Sequence, residues 1–125
     1  MAILACFSDT PAGKAAIRRA LAEAHKAQDS LLIANLDREP ITEKNLGIDM
    51  NALLDFGVPL QILSQSGTVH DPADFVLQSE QDHQVSLIVL GLRKRSRVGK
   101  LLMGSIAQRI LIEADCPVLA VKAQD

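Results

Sequence analysis

Between Gly91 and Ser105 the chain runs GLRKRSRVGKLLMGS, in which five cations, Arg93, Lys94, Arg95, Arg97 and Lys100, stand among Gly91, Gly99 and Gly104. The apolar run VSLIVL leads into this segment, and SIAQRILIEA, with helical spacing, follows it. A glycine closing a buried strand lets an anion approach the main chain. The first N–H groups of the next helix have no intrahelical acceptor, and the helix dipole favours negative charge there. Ser105 adds a hydroxyl donor. The chemistry open to this pattern is the holding of a phosphate. The same residues also suit a solvated basic loop whose glycines only turn the chain and start a helix. Two familiar phosphate motifs fail on spacing. A Walker A loop needs glycine where Lys94 stands and Ser or Thr where Leu101 stands, and the three-glycine dinucleotide fingerprint is missing from FSDTPAG, which holds only Gly13.

Other chemistries find little support. His25, His70 and His83 are dispersed without metal-ligand spacing, no nucleophile-elbow motif occurs, and no Ser/His/Asp set can be assembled from the chain order, so the protein is not expected to be an enzyme. Cys6 and Cys116 each sit beside an apolar run and are expected to be reduced core residues, which fits a cytoplasmic setting. With a net charge of -2, three Phe and neither Tyr nor Trp, the chain lacks both the general attraction and the stacking surfaces of a nucleic-acid binder. The start, MAILACFSDT, has no basic leader region, and no apolar stretch is long enough to span a bilayer.

The elements that must position the basic segment follow from periodicity. Short runs rich in branched residues, AILACF, LLIANL, PLQIL, SLIVLG and PVLAVK, suit strands buried on both faces. Thr10 and Pro11 open a helix whose apolar side is Ile17, Ala20, Leu21, Ala24 and Ala27. Asp71 and Pro72 open another, with Phe75, Val76 and Leu77 on its inner side. A third covers SIAQRILIEA and stops before Pro117. The stretch DREPITEKNLGIDMNALLDFG has loop character, with a short helix expected at MNALLDF. Alternation of strands and helices predicts one domain over residues 1–125, an α/β fold with a five-stranded parallel sheet and helices on both faces. Ligands of such sheets lie beyond the carboxyl ends of the strands. The loops at SDT, NLD and GLRKR are the places to look.

From Leu87 to Val121 the sequence LIVLGLRKRSRVGKLLMGSIAQRILIEADCPVLAV resembles the C-terminal half of universal stress proteins. The nucleotide-binding branch of that family carries Gly, two residues, Gly, nine residues, then Gly followed by Ser or Thr. Gly91, Gly104 and Ser105 fall at those distances, and Lys94 stands at the second glycine. DTPAGKAAIRRALAEA and HDPADFVL resemble the first and third family helices. The resemblance implies that the α/β sheet is of the Rossmann-like adenine-nucleotide-binding type, and that the chain is a stress-response switch protein that binds ATP or a related adenine nucleotide, alone or with Mg2+, with slow ATP hydrolysis left open. Gly91, Gly104, Ser105 and the Ile106 backbone would hold phosphates and ribose, with Arg93 and Lys94 adding charge. Ser8 or Asp9 would lie near the nucleoside, and Asn35 would correspond to the residue that meets adenine. It also implies a homodimer formed through the C-terminal strand CPVLAVK. The alternative is a dimeric member that has lost nucleotide binding and serves as a protein-interaction module.

Overall fold

The computed structural model describes residues 1–47, 55, 57–65, 71–94, 101–102 and 104–123. In chain order the elements are β1 (Ala2–Phe7), α1 (Pro11–Ala27), β2 (Ser30–Asn35), α2 (Glu43–Leu46), β3 (Leu60–Leu63), α3 (Pro72–His83), β4 (Val85–Lys94), β5 (Leu101–Leu102), α4 (Ser105–Glu113) and β6 (Val118–Lys122). Five strands pair in parallel in the order β3-β2-β1-β4-β6, so the chain steps outward from β1 and then returns to its other side at β4. The fold is the parallel α/β sheet that the sequence predicts.

Strand β1 shows why both faces must be covered. Ile3, Ala5 and Phe7 point into one apolar cluster, and Ala2, Leu4 and Cys6 into the other, as the two-residue period of a strand requires. On the first face α1 lays Ala16, Ile17, Ala20 and Ala24 against the sheet, its alanines allowing close approach. On the second, Phe75 and Val76 of α3 and Ile110 of α4 complete the packing. Leu4, Ile17, Leu31, Ile33 and Ile88 have no exposed surface. Burying each contributes about 1.5–3 kcal/mol.

The helix boundaries follow from their caps. The Thr10 hydroxyl accepts the Gly13 N–H at 3.1 Å and Pro11 begins α1, while Asp71 Oδ1 accepts the Ala73 N–H at 2.9 Å and Pro72 begins α3. Both helices end on glutamine in the left-handed region, Gln28 at φ 56° and Gln84 at φ 51°. Arg109 then ties α3 to α4: its Nη1 donates to Asp71 at 2.7 Å, Nη2 to Asp74, and Nε to Glu113 of its own helix at 2.6 Å. The buried Glu80 carboxylate accepts the N–H groups of Asp115 (3.0 Å) and Cys116 (2.8 Å), satisfying the turn that leads into β6.

Three details depart from expectation. β4 does not stop at Gly91 but continues to Lys94, where β5 folds back on it antiparallel, pairing Arg93 with Leu102 and Lys94 with Leu101. The stretch before β3 is not all loop, because Thr42 caps the single turn of α2 by accepting the Asn45 N–H, and Gly47 at φ 68° ends it. Pro117 lies just outside β6, where its carbonyl accepts the Ile88 N–H at 3.1 Å. The helix expected at MNALLDF lies, except for Asp55, outside the described residues.

Candidate functional site

A cleft of about 400 Å³ opens at the carboxyl ends of β1 and β4, where the strand order reverses. Ser8 follows β1, and Thr10 and Gly13 bring the start of α1 to the same wall. Asp37 enters from the loop after β2, Gly91 and Arg93 from β4, and Gly104 and Ile106 from the start of α4. Leu90, Leu92 and Ile110, all buried, give the cleft an apolar lining next to these polar groups. Ligand clefts commonly combine such a lining with a few convergent polar groups.

The cleft is shaped by how closely α1 approaches the sheet. A Cβ on Gly91 would lie 1.9 Å from the Ala12 carbonyl oxygen, and one on Gly13 would lie 1.9 Å from the Ser8 oxygen. Neither position can carry a side chain without moving the backbone. Gly104 differs. A Cβ there would meet nothing within 4 Å, and its φ of -69° suits any residue, so neither packing nor conformation demands glycine. As the N-cap of α4 it also makes no side-chain cap hydrogen bond, leaving the first N–H groups of the helix to an outside acceptor.

Of the residues expected at the site, Ser8, Gly91, Arg93, Gly104 and Ile106 line the cleft. Ser105 is exposed at the first position of α4, and the Lys94 backbone is engaged in the pairing with Leu101. Asp9 and Asn35 are not part of the lining. The Asp9 carboxylate accepts from Asn45 Nδ2 at 2.9 Å and faces Lys14 Nζ at 3.6 Å. The Asn35 amide is spent inside its own loop, donating to the Glu39 carbonyl at 2.8 Å and accepting the Asp37 N–H at 3.0 Å. Thr10 and Asp37 belong to the SDT and NLD loops that the sequence singles out but are not among the residues assigned there, and the close approach at Ala12 is not foreseen from sequence. For Thr10 the cap itself was the signal, because a helix start at the end of β1 must lie beside the switch point.

Cys6 lies at the base of the cleft, and burial pushes its thiol up to about 12. The Cys116 thiol is likewise pushed up to about 12, first by burial and then by its hydrogen bond to Glu80. Both cysteines are unbridged and poor nucleophiles near neutral pH. Among the described residues no group of three His, Cys, Asp or Glu side chains is placed to hold a metal ion, and no helix is long and apolar enough to cross a membrane.

The chain is a doubly wound α/β sheet with a partly apolar cleft at its switch point, bordered by a helix start without a side-chain cap. The profile of the universal stress protein family matches residues 1–122, and the chain belongs to that family. A universal stress protein of Mycolicibacterium smegmatis is 35% identical over 127 residues, covering 96% of each chain. Among solved structures, a universal stress protein from Archaeoglobus fulgidus superposes with a TM-score of 0.69 at 22% identity, covering 98% of both chains. Another structure from Archaeoglobus fulgidus, a universal stress protein in complex with dAMP, has a TM-score of 0.65 at 16% identity and also covers 98% of both.

Proposed function

We propose that this chain binds an adenine nucleotide, ATP or a related one, in the cleft at the β1–β4 switch point, and that occupancy changes its conformation or its partner surface without substrate turnover. Gly104 is the observation that carries the reading. A glycine that neither packing nor backbone geometry requires, at the one end of α4 that faces the cleft, keeps the helix start bare for a phosphate. Arg93 supplies a cation beside it, and the apolar lining from Leu90, Leu92 and Ile110 suits a purine. The dAMP complex of the Archaeoglobus fulgidus relative supports adenine as the base. Mg2+, if it accompanies ATP, would be held largely by the phosphates, with Asp37 the carboxylate on the cleft wall.

Calorimetric titration of the wild type with AMP and with Mg-ATP, repeated on Gly104→Asp, tests the reading. The new carboxylate would cap α4 itself and repel a phosphate, weakening binding about tenfold or more. Equal affinity in both proteins would overturn the site, and no binding by either would favour the interaction-module alternative. The same reading includes a homodimer through β6. That strand pairs only with β4 among the described residues, and its half-buried Val118, Leu119, Ala120 and Val121 form an apolar edge that needs cover. A monomer at every concentration in light scattering would count against it.

A further inference from the structure

Helix α4 borders the cleft but has few anchors of its own. Among the described residues it buries Ile110 alone, against seven residues of α1 and five of α3, and its first turn has no side-chain cap. The direction in which its leading N–H groups point is therefore set from outside the helix, and Arg109, one turn along from Ser105, is placed to set it. Its three guanidinium nitrogens go to three carboxylates: Nη1 donates to Asp71 Oδ2 at 2.7 Å, Nη2 to Asp74, and Nε to Glu113 at 2.6 Å. Asp71 is itself fixed, because its other oxygen accepts the Ala73 N–H at 2.9 Å as the cap of α3. Phe75 and Val76 in turn seat α3 on the sheet. One carboxylate thus begins one helix and grips the next.

We propose that Arg109 is a positioning residue for the cleft, clamping α4 to the first turn of α3 in the register that aims the Gly104 end at a bound phosphate. This rests on the adenine-nucleotide reading of the cleft. The α4 side chains on the cleft wall are Ile106, Ala107 and Ile110, so Arg109 acts through the helix and not by touching the ligand. Part-exposed ion pairs contribute little to folding. Their value here is geometric, since a binding group has to be held within about 0.5 Å of its working position. Arginine suits the task because its nitrogens form a rigid planar fork. A lysine ammonium carries the same charge on a single atom and cannot reproduce that fork.

AMP and adenosine titrated by calorimetry into wild type, Arg109→Lys and Asp74→Ala test the assignment, with a thermal melt of each variant to show that it is folded. The ratio of the two affinities isolates the phosphate, the one group that adenosine lacks. Arg109→Lys keeps the charge and breaks the fork. It should lower the AMP-to-adenosine ratio about fivefold, the value of roughly one hydrogen bond, and leave adenosine affinity unchanged. Asp74→Ala adds a test of sign. By charge alone, removing an acid beside α4 raises affinity for an anion, whereas loosening the clamp lowers the ratio. An unchanged ratio in either variant overturns the inference. So does an equal fall for AMP and adenosine, the mark of a general structural loss, and so does tighter AMP binding by Asp74→Ala. If one variant melts early, the other decides. Wild type binding neither ligand removes the nucleotide reading itself, and wild type binding both equally removes the phosphate from α4 and the clamp with it. A wild-type preference for AMP that both variants keep removes only the role of Arg109.

Discussion

At the starts of α1 and α3, side chains close the helix: the Thr10 hydroxyl takes the Gly13 N–H and the Asp71 carboxylate takes the Ala73 N–H. At the start of α4, Gly104 has no side chain to do the same. A side-chain cap is worth about 1 kcal/mol, and the chain forgoes it at the helix start that borders the cleft. The first two ends are closed by the fold itself, and the third has no side chain to close it. The same contrast separates the two glycines of the basic segment. Gly91 is required by the protein itself, pressed against the Ala12 carbonyl, whereas Gly104 has open space around it. A glycine spacing is therefore not uniform evidence of a ligand, since each glycine has its own cause.

Substitution at both glycines gives the largest contrast. Gly91→Ala is expected to lower unfolding free energy by about 3 kcal/mol or more in urea titration, because its Cβ meets backbone and not a movable side chain. Gly104→Ala should cost about 1 kcal/mol at most. Comparable losses at the two sites would dissolve the distinction.

The buried base of the cleft can be set against its open mouth by pH. The folded-state Cys6 thiol is raised from about 9 to about 12, so its contribution to stability is complete below about pH 9 and is lost as pH rises toward 12. Urea midpoints for wild type should fall faster between pH 9 and 10.5 than those of Cys6→Ala, and parallel curves would show that the thiol is not buried as described.

The cap comparison predicts opposite signs. Thr10→Ala should destabilise by about 1 kcal/mol, while Gly104→Asp should stabilise by about 0.5 kcal/mol, since glycine is itself a tolerated N-cap. A thermal melt of each reads the sign directly. The smallest effect is at the other end of α1. Gln28 holds a left-handed conformation that costs a non-glycine residue about 1 kcal/mol, so Gln28→Gly should raise stability by about 0.5 kcal/mol once glycine's greater unfolded-state entropy is included.

Much of this architecture is legible in the chain itself. Thr-Pro and Asp-Pro announce α1 and α3, and the five apolar runs announce the parallel strands, because local capping and burial agree with the tertiary arrangement there. β5 and α2 are not legible. Two residues of antiparallel pairing and one capped turn are too short to impose a period on the sequence. Of the cleft lining, Gly91 and Gly104 are visible through spacing, but the presence of Asp37 there is not. Asp9 and Asp37 lie just beyond the ends of β1 and β2, and Lys14 and Asn45 engage the first of them while the second lines the cleft. The Asp9–Asn45 contact joins residues far apart in sequence.

The central place of β1 has a kinetic consequence. Hydrogen-bonded to β2 on one side and β4 on the other, with Leu4 and Ala5 wholly sheltered, its amides can exchange with solvent deuterium only when the whole sheet comes apart. The last turns of the outer helices open far more often. The cleft thus grows from a strand paired on both sides, whose amides are expected to be among the slowest to exchange in a deuterium experiment.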